Sequence, residues 1–535
     1  MKIHQIPFDS TNIYSKLIYD YQKKNNDLAS IISSFPSLNS LVSFSNLKLN
    51  QFSNKNRSNL SEVLMDQYSN INLSKNVKRN LNLLSKKNSV TITTGHQLSL
   101  MTGPLYFIYK IVSVIKLSMM LNNRNKKTHH IPMFWMASED DDFEEIKSFY
   151  FKGKKVSWDQ NKEGPVGEIS TKTLDFLKIF IETELGFSES AAKIRKIIKD
   201  TYLSKKTLSE ATFCLVNTLF SDYGLLVLDP KHKKLKQTMI PFFKKELFNH
   251  DCKKEVEFQV NLIKNKYSNK YKPQVNPREI NLFYIIKGKR YRISKTNTGF
   301  ELINSKITFT KSSMEKELYK FPERFSPNVL MRPLFQEVVL PNIAYVGGAA
   351  EISYWLQLKC FFENQNIVFP ILIVRDSALL VSSKISKSIS SLDISYYDLF
   401  KGKKHLVDKK IKDLSEISLD LQFLKNTLEL QFEYLEKIVL KTDPSFNGAV
   451  KAQRSKQFKG IDKLEKRLLK AQKRKFQDHF KKTEFIYDSL FPENIYQERK
   501  ENFFQYYIQF GNNFIPDLIN NFNLLNKKIT ILEFE

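Results

Sequence analysis

Between Ser89 and Lys116 the spacing of apolar residues changes once, and the change marks a structural unit. Val90 and Ile92 alternate with Thr91 and Thr93, the two-residue period of a strand. Thr94-Gly95-His96-Gln97 then breaks the alternation with a glycine and three polar side chains. After Gly103-Pro104, Leu105, Ile108, Val112, Ile115 and Met119 recur at three- and four-residue steps, which predicts a helix with Pro104 near its first turn. The same order returns at Ile131 to Met136, a strand leading into the acidic run Glu139 to Glu145. It returns at Gly224 to Asp229, and again at Ile343 to Val346, where Gly347-Gly348 precedes an amphipathic helix over 349–363. Ile367 to Val374 is a further strand, ending at Arg375-Asp376. Repeated strand, polar turn and helix predicts an α/β core, a mainly parallel sheet covered by helices, with ligands at the carboxyl ends of its strands.

Elsewhere the pattern is plainer. Residues 1–88 read as mostly helical, over 13–23 and 60–85 with a polar stretch to Asn59, and carry no evident chemistry. Residues 156–169 are β-rich and 233–248 helical. Alternation between Gln274 and Thr310 predicts a small antiparallel insertion turned at Lys287-Gly288-Lys289. Beyond Ser383, Leu414, Leu421, Leu428 and Leu435 stand at heptad spacing, with Ile417, Leu424 and Ile438 at the second apolar position. Asp443 to Gly448 stops that helix, and Ile461, Leu464, Leu468 and Ala471 begin a second arm. An antiparallel α-helical coiled-coil hairpin is therefore expected. The chain divides into a core over 1–384 with insertions at about 150–220 and 250–325, a hairpin over 385–489, and a segment over 490–535 packing back on the core.

Composition changes this picture only a little. At 535 residues and 41% hydrophobic, the chain can bury a sizeable core. The N-terminal residues lack the apolar stretch of a signal peptide, and no run approaches a membrane span, so a soluble, cytoplasmic protein is expected. Cys214, Cys252 and Cys360 are far apart, which fits reduced, non-catalytic thiols and predicts no metal site. The net charge of +28 invites a nucleic-acid reading, although lysine is spread along the whole chain. The second hairpin arm concentrates it, which leaves open a basic, dimeric nucleic-acid-binding protein.

Candidate chemistry gathers at the strand ends. An acidic cluster there suits an amine, a metal or a catalytic base, and equally the solvated start of a helix. Gly347-Gly348 before a helix can present backbone amides to an anion, but no dinucleotide or Walker motif is present.

Several of these segments together resemble one family, BshC, the cysteine ligases of bacillithiol synthesis. The resemblance rests on TTGHQLSLMTGPLYFIYK at 93–110, IPMFWMASEDDDFEEI at 131–146 and SPNVLMRPLFQEVVLPNIAYVGGAAEISYWLQLK at 326–359. LEKRLLKAQKRK at 464–475 and LFPENIYQERKENF at 490–503 extend it, all in the family's order. His96 stands where Gln is usual, and Asp141 where His is common.

The resemblance implies a Rossmann-like core with a coiled-coil domain that makes a homodimer. It also implies an amide bond between the carboxyl group of L-cysteine and the amine of glucosaminyl-malate. ATP or another nucleotide is open as the source of activation. On this reading His96, Gln97, Glu139, Asp140 and Asp142 are the catalytic candidates. His96 or Gln97 would donate to developing charge, and the acids would hold ammonium groups or take the amine's proton. Thr94, Gly95, Gly103, Arg332, Gln336, Tyr345, Gly347, Gly348, Glu351 and Tyr354 would bind substrate, Arg332 through the malate carboxylates.

Overall fold

The computed structural model describes residues 1–11, 13–160, 162–267 and 271–534. The five apolar runs of the core form one parallel sheet: β1 (Ser89–His96), β2 (His129–Met136), β3 (Leu226–Leu228), β4 (Asn342–Gly347) and β5 (Ile371–Val374). Their spatial order is β5-β4-β1-β2-β3, so the strand order reverses between β1 and β4. In such a sheet the connections leave on opposite sides at that point and open a crevice beyond the strand ends. Helix α1 (Tyr106–Arg124) follows β1. Its Val114, Leu117 and Leu121 pack with Val90, Ile92, Ile343, Val346, Ile371 and Ile373. Burial of these branched side chains, each contributing about 1.5–3 kcal/mol, fixes which face of each strand turns inward and hence the register. α1 is buried nearly all round, but Met119, predicted on its inner face, is 47% exposed.

Two further helices shape the crevice: α2 (Met331–Val339) before β4 and α3 (Ala349–Trp355) after it. The single helix expected over 349–363 is two, because the chain turns between Trp355 and Lys359. Gln357 in that turn spends its side chain on the backbone of Gln274 and Val275. Likewise 233–248 breaks at Met239 into Lys233–Thr238 and Ile240–Asn249, with Pro241 at the second start.

The insertion over 274–310 is antiparallel as its alternation predicts, with strands Leu282–Ile286, Lys289–Lys295, Gly299–Leu302 and Thr308–Thr310, joined by Phe325–Pro327. Lys287 and Gly288, with φ of 52° and 71°, form the two-residue turn at its tip.

The first 88 residues depart from expectation. Lys2–Pro7 is a strand, paired antiparallel to Lys528–Glu533, which also pairs with Ala378–Val381. A helix, Leu38–Gln51, lies within the stretch read as merely polar, and the segment over 60–85 is interrupted between Gln67 and Lys75. The hairpin consists of α4 (Gln422–Val439) and α5 (Asn447–Lys475). The heptad does not run unbroken through it: the helix before α4 ends at Leu414. Between them Ser415, Ser418 and Asp420 bond to nearby backbone groups, the local competition that ends helices. The inner seam uses Phe432, Val439 and Val450 with Leu428, whereas Leu424, Leu435, Ile438 and Leu464 face outward. No helix among the described residues is long and apolar enough to cross a membrane.

Candidate active site

The crevice lies where β1 and β4 diverge. At the end of β1, Gly95 is pressed against β2: a Cβ there would stand 3.3 Å from the Trp135 carbonyl oxygen and 3.6 Å from the Arg332 guanidinium. The tight contact is with the Trp135 carbonyl, against which a side chain at Gly95 would press, whereas the guanidinium would stand at ordinary contact distance. One helical turn into α1, the buried Lys110 reaches back to donate to the Gly95 carbonyl and to the Glu351 carboxylate of α3, the latter at 2.8 Å. Glu351 also accepts from the Tyr345 hydroxyl and the Gly348 amide, both at 2.8 Å. One carboxylate thus ties together β1, α1, the end of β4 and the start of α3. Burial works against its charge, yet Lys110 and the Gly348 amide hold it below the usual carboxylate range. Burial lowers Lys110 in turn, against the pull of Glu351. The glycine pair therefore presents its amide to the chain's own carboxylate.

Arg332 rises from α2 into the same space. It donates to Gln336 at 3.2 Å and to the Tyr354 hydroxyl at 3.4 Å, and lies 5.7 Å from the Tyr345 ring centre and 5.8 Å from that of Trp355. Those two rings stack on each other at 4.3 Å. Lys110, Lys236, Arg290 and Arg375 each face a carboxylate, but among the described residues none lies within salt-bridge distance of Arg332. Gln336 passes the connection inward to Glu337, which also accepts from Asn342, whose own oxygen accepts from Thr93 of β1. Burial raises Glu337 to about 7, with Lys48 3.7 Å away opposing the shift.

The acidic loop after β2 meets the glycine turn directly. Gln97 donates one amide hydrogen to Asp140 at 2.7 Å and the other to Glu145 at 2.8 Å, so the two turns share one side of the sheet. Gln97 thereby anchors the acidic loop, and neither of its hydrogens is left for an acyl oxygen. Glu139 turns inward to the buried Lys236 at 2.7 Å. Asp142 caps the short turn Phe143–Ile146 by accepting from the Glu145 amide. His96 Nδ1 lies 2.9 Å from the Gln97 carbonyl, which makes it the protonated ring nitrogen and leaves Nε2 as an acceptor. Burial, then Lys110, pushes the imidazole down to about 4, so it is neutral at physiological pH. Thr94 is buried, and its hydroxyl has no partner among the described residues. Gly103, at φ 59°, sits over Ser99 and turns the chain into α1, where its carbonyl accepts from Asn502. It is thus a hinge of the turn.

Two family models between them cover almost the whole chain. The BshC N-terminal Rossmann-like domain of bacillithiol biosynthesis matches residues 1–376, and the BshC C-terminal coiled-coil domain residues 378–534. The chain belongs to the BshC family. A Flavobacterium johnsoniae relative named "Putative cysteine ligase BshC" is 43% identical over 98% of this chain and 99% of its own length. BshC relatives of the same name from Christiangramia forsetii and Cytophaga hutchinsonii are 39% and 34% identical, over 100% and 95% of this chain and 99% and 94% of their own.

Within this BshC chain, sequence reasoning overlooked Lys110, Glu337, Lys236 and Arg290. The available signal was a lone charge inside an apolar run, as Lys110 in FIYKIVSV and Glu337 in LFQEVVL. It also overlooked Arg375, which the C-terminal segment completes: Glu498 receives both ends of its fork, at 2.6 and 3.0 Å. The three cysteines are free, and burial raises the Cys252 thiol. Membership in this family takes the place of the nucleic-acid reading. Several cations of the hairpin are already tied, Lys425 to Asp462 and Glu465 at 2.8 Å and Arg454 to Glu436 at 3.2 Å.

Proposed function

We propose that this crevice joins the carboxyl group of L-cysteine to the amine of glucosaminyl-malate, the ligase step in the family's name. The observation that supports it best is Arg332, a guanidinium beside the end of β1 that, among the described residues, hydrogen-bonds only neutral partners. Tyr354, Tyr345 and Glu351 outweigh its burial and favour its charge. A planar fork with donors to spare suits a dicarboxylate such as malate. The acidic loop lies across the crevice, where it would hold the amino-sugar's ammonium group. The neutral His96 would take a proton at Nε2 as the amine attacks. Amide formation needs an activated acyl group, and ATP or another nucleotide is the donor we propose. We would place its phosphates away from the Gly347-Gly348 turn, because Glu351 already takes the Gly348 amide.

Two copies would pair along the outer stripe of the hairpin, where Leu424, Leu435 and Ile438 are 48%, 41% and 42% exposed. Outward apolar residues on one face of such a hairpin would serve as the seam of a larger helical assembly. Mass spectrometry of product from purified protein, glucosaminyl-malate, cysteine and each candidate energy donor tests the reaction. A product carrying a cysteinyl amide is expected, and its absence with every donor would overturn the reading.

A further inference from the structure

The acidic loop is held from a third direction that the reaction alone does not explain. Arg290 stands on the strand Lys289–Lys295, beside the tip of the inserted antiparallel sheet, with 6% of its side chain exposed. Its guanidinium lies 3.9 Å from the Phe283 ring centre. Its Nε donates to the Ser326 hydroxyl at 3.2 Å, and one terminal nitrogen to the Pro327 carbonyl at 3.0 Å. The other terminal nitrogen leaves the insertion and donates to Asp141 at 2.8 Å, with Asp140 at 3.9 Å. Thus one planar cation spans two segments.

Those segments are the two walls of the crevice. Ser326-Pro327 runs into Asn328, whose side chain caps the start of α2 by accepting from the Leu330 and Met331 amides. The Arg332 amide in turn donates to the Asn328 carbonyl at 2.8 Å. On the other wall, Asp140 holds Gln97 and therefore the end of β1. A second strut lies behind the loop. Val166 and Gly167 donate to the carbonyls of Asp140 and Ser138, at 2.7 and 2.8 Å. Beside them Gly164, at φ +87°, packs so closely under the Gly288 carbonyl that a Cβ would collide with it. Lys289 reaches Glu163 at 2.7 Å across the same contact.

We infer that Arg290 is a positioning residue. Through it the tip of the inserted sheet sets the separation between the acidic loop and Arg332, and so the span available to an acceptor with an amine at one end and carboxylates at the other. This rests on the ligase reading for its substrate, but not for its geometry. Lysine cannot stand in, because a point charge cannot hold Ser326, Pro327 and Asp141 in one plane.

The test measures steady-state kinetics and hydrogen exchange on the full-length protein with Arg290→Met, Arg290→Lys, Asp141→Asn and Gly164→Ala. Displacement of reacting groups by about an ångström can cost on the order of 100-fold, so kcat/KM for the amino-sugar acceptor is expected to fall ~10-fold or more in Arg290→Met. The KM for cysteine is expected to stay nearly constant, a split that general loss of structure would not give. Amides of residues 137–145 should exchange faster in all four variants. Gly164→Ala reaches the same state without removing a charge, by forcing the hairpin tip off the loop. Should Arg290→Met fold poorly, Asp141→Asn carries the test, since it leaves Arg290 packed within the insertion. Unchanged exchange and unchanged acceptor KM in the folded variants would overturn the inference. A wild-type protein that makes no product would sink the ligase reading alone, and the exchange data would still decide the clamp.

Discussion

Replacing Lys110 with methionine isolates the junction on which the crevice depends. The change keeps the apolar stem and removes the cation between the Gly95 carbonyl and Glu351. Stripping one partner from a buried ion pair typically costs 3–5 kcal/mol. Glu351 keeps 28% of its side-chain exposure, so the lower end, about 3 kcal/mol, is expected. At ~2.1 cal/mol/K per residue over the 376 residues of the N-terminal domain, that is a fall of ~4 °C in its melting temperature. The pH dependence makes the argument specific. With Lys110 present, Glu351 titrates below its unfolded value, so the stabilisation is full above the ordinary glutamate range and is lost as pH falls through the folded pKa. In Lys110→Met, burial without a cation raises Glu351, and folding then favours the protonated acid. The gap between wild type and variant should therefore be wide at pH 7–8 and narrow towards pH 4–5. Thermal unfolding by circular dichroism across that range measures it, beside the double variant Lys110→Met/Glu351→Gln, which should recover much of the loss because no unpaired charge remains. A gap that is constant with pH, or a double variant worse than the sum of the singles, would refute the reasoning.

Arg332→Lys should keep the fold yet lose on the order of 10-fold or more in kcat/KM for the acceptor, read by steady-state kinetics, because the bidentate fork is gone. His96 should show no protonation between pH 8 and 5 by NMR, since its pKa lies near 4; the pH-rate profile of His96→Gln should accordingly gain or lose no limb in that window. Aspartate at Leu424, Leu435 and Ile438 should give monomers by light scattering with helix content retained. Aspartate at Leu428, which packs in the inner seam, should instead unfold the hairpin.

The strand-end units were legible because their signal is local: a two-residue period, a polar glycine turn and a helical period follow one another within about thirty residues of chain. The tip of the insertion was legible for the same reason, its Lys287-Gly288 turn being set by two positive φ angles. What holds the crevice together was not. Lys110 and Glu351 are 241 residues apart, and Arg375 and Glu498 are 123 apart. No periodicity registers such pairs: Lys110 reads as a break in an apolar face, and Glu498 is one charge among several in QERKE. Lys2–Pro7 escaped because four of its six side chains are exposed, so burial leaves no alternation to read. The heptad misled in the opposite sense. Leucine spacing continued through Ser415 to Leu421, while serine and aspartate side chains there drew the backbone out of the helix. Gln97 was placed at the right turn, but which partner its amide would choose depended on how closely β2's loop approached, a tertiary distance.

The pairing of Lys2–Pro7 with Lys528–Glu533 also bears on how the protein comes off the ribosome. A nascent N-terminal strand must wait for a partner synthesised about 520 residues later, on the order of half a minute to two minutes at 5–20 residues per second. Until then Arg375 lacks Glu498, and the Gly103 turn lacks Asn502. The growing chain can collapse its sheet early, but these contacts of the crevice's surroundings form only after residues 490–503 have been made. A chain truncated before Gln497 would therefore carry β1 to β5 with Arg375 unpaired from Glu498 and the Gly103 turn without Asn502.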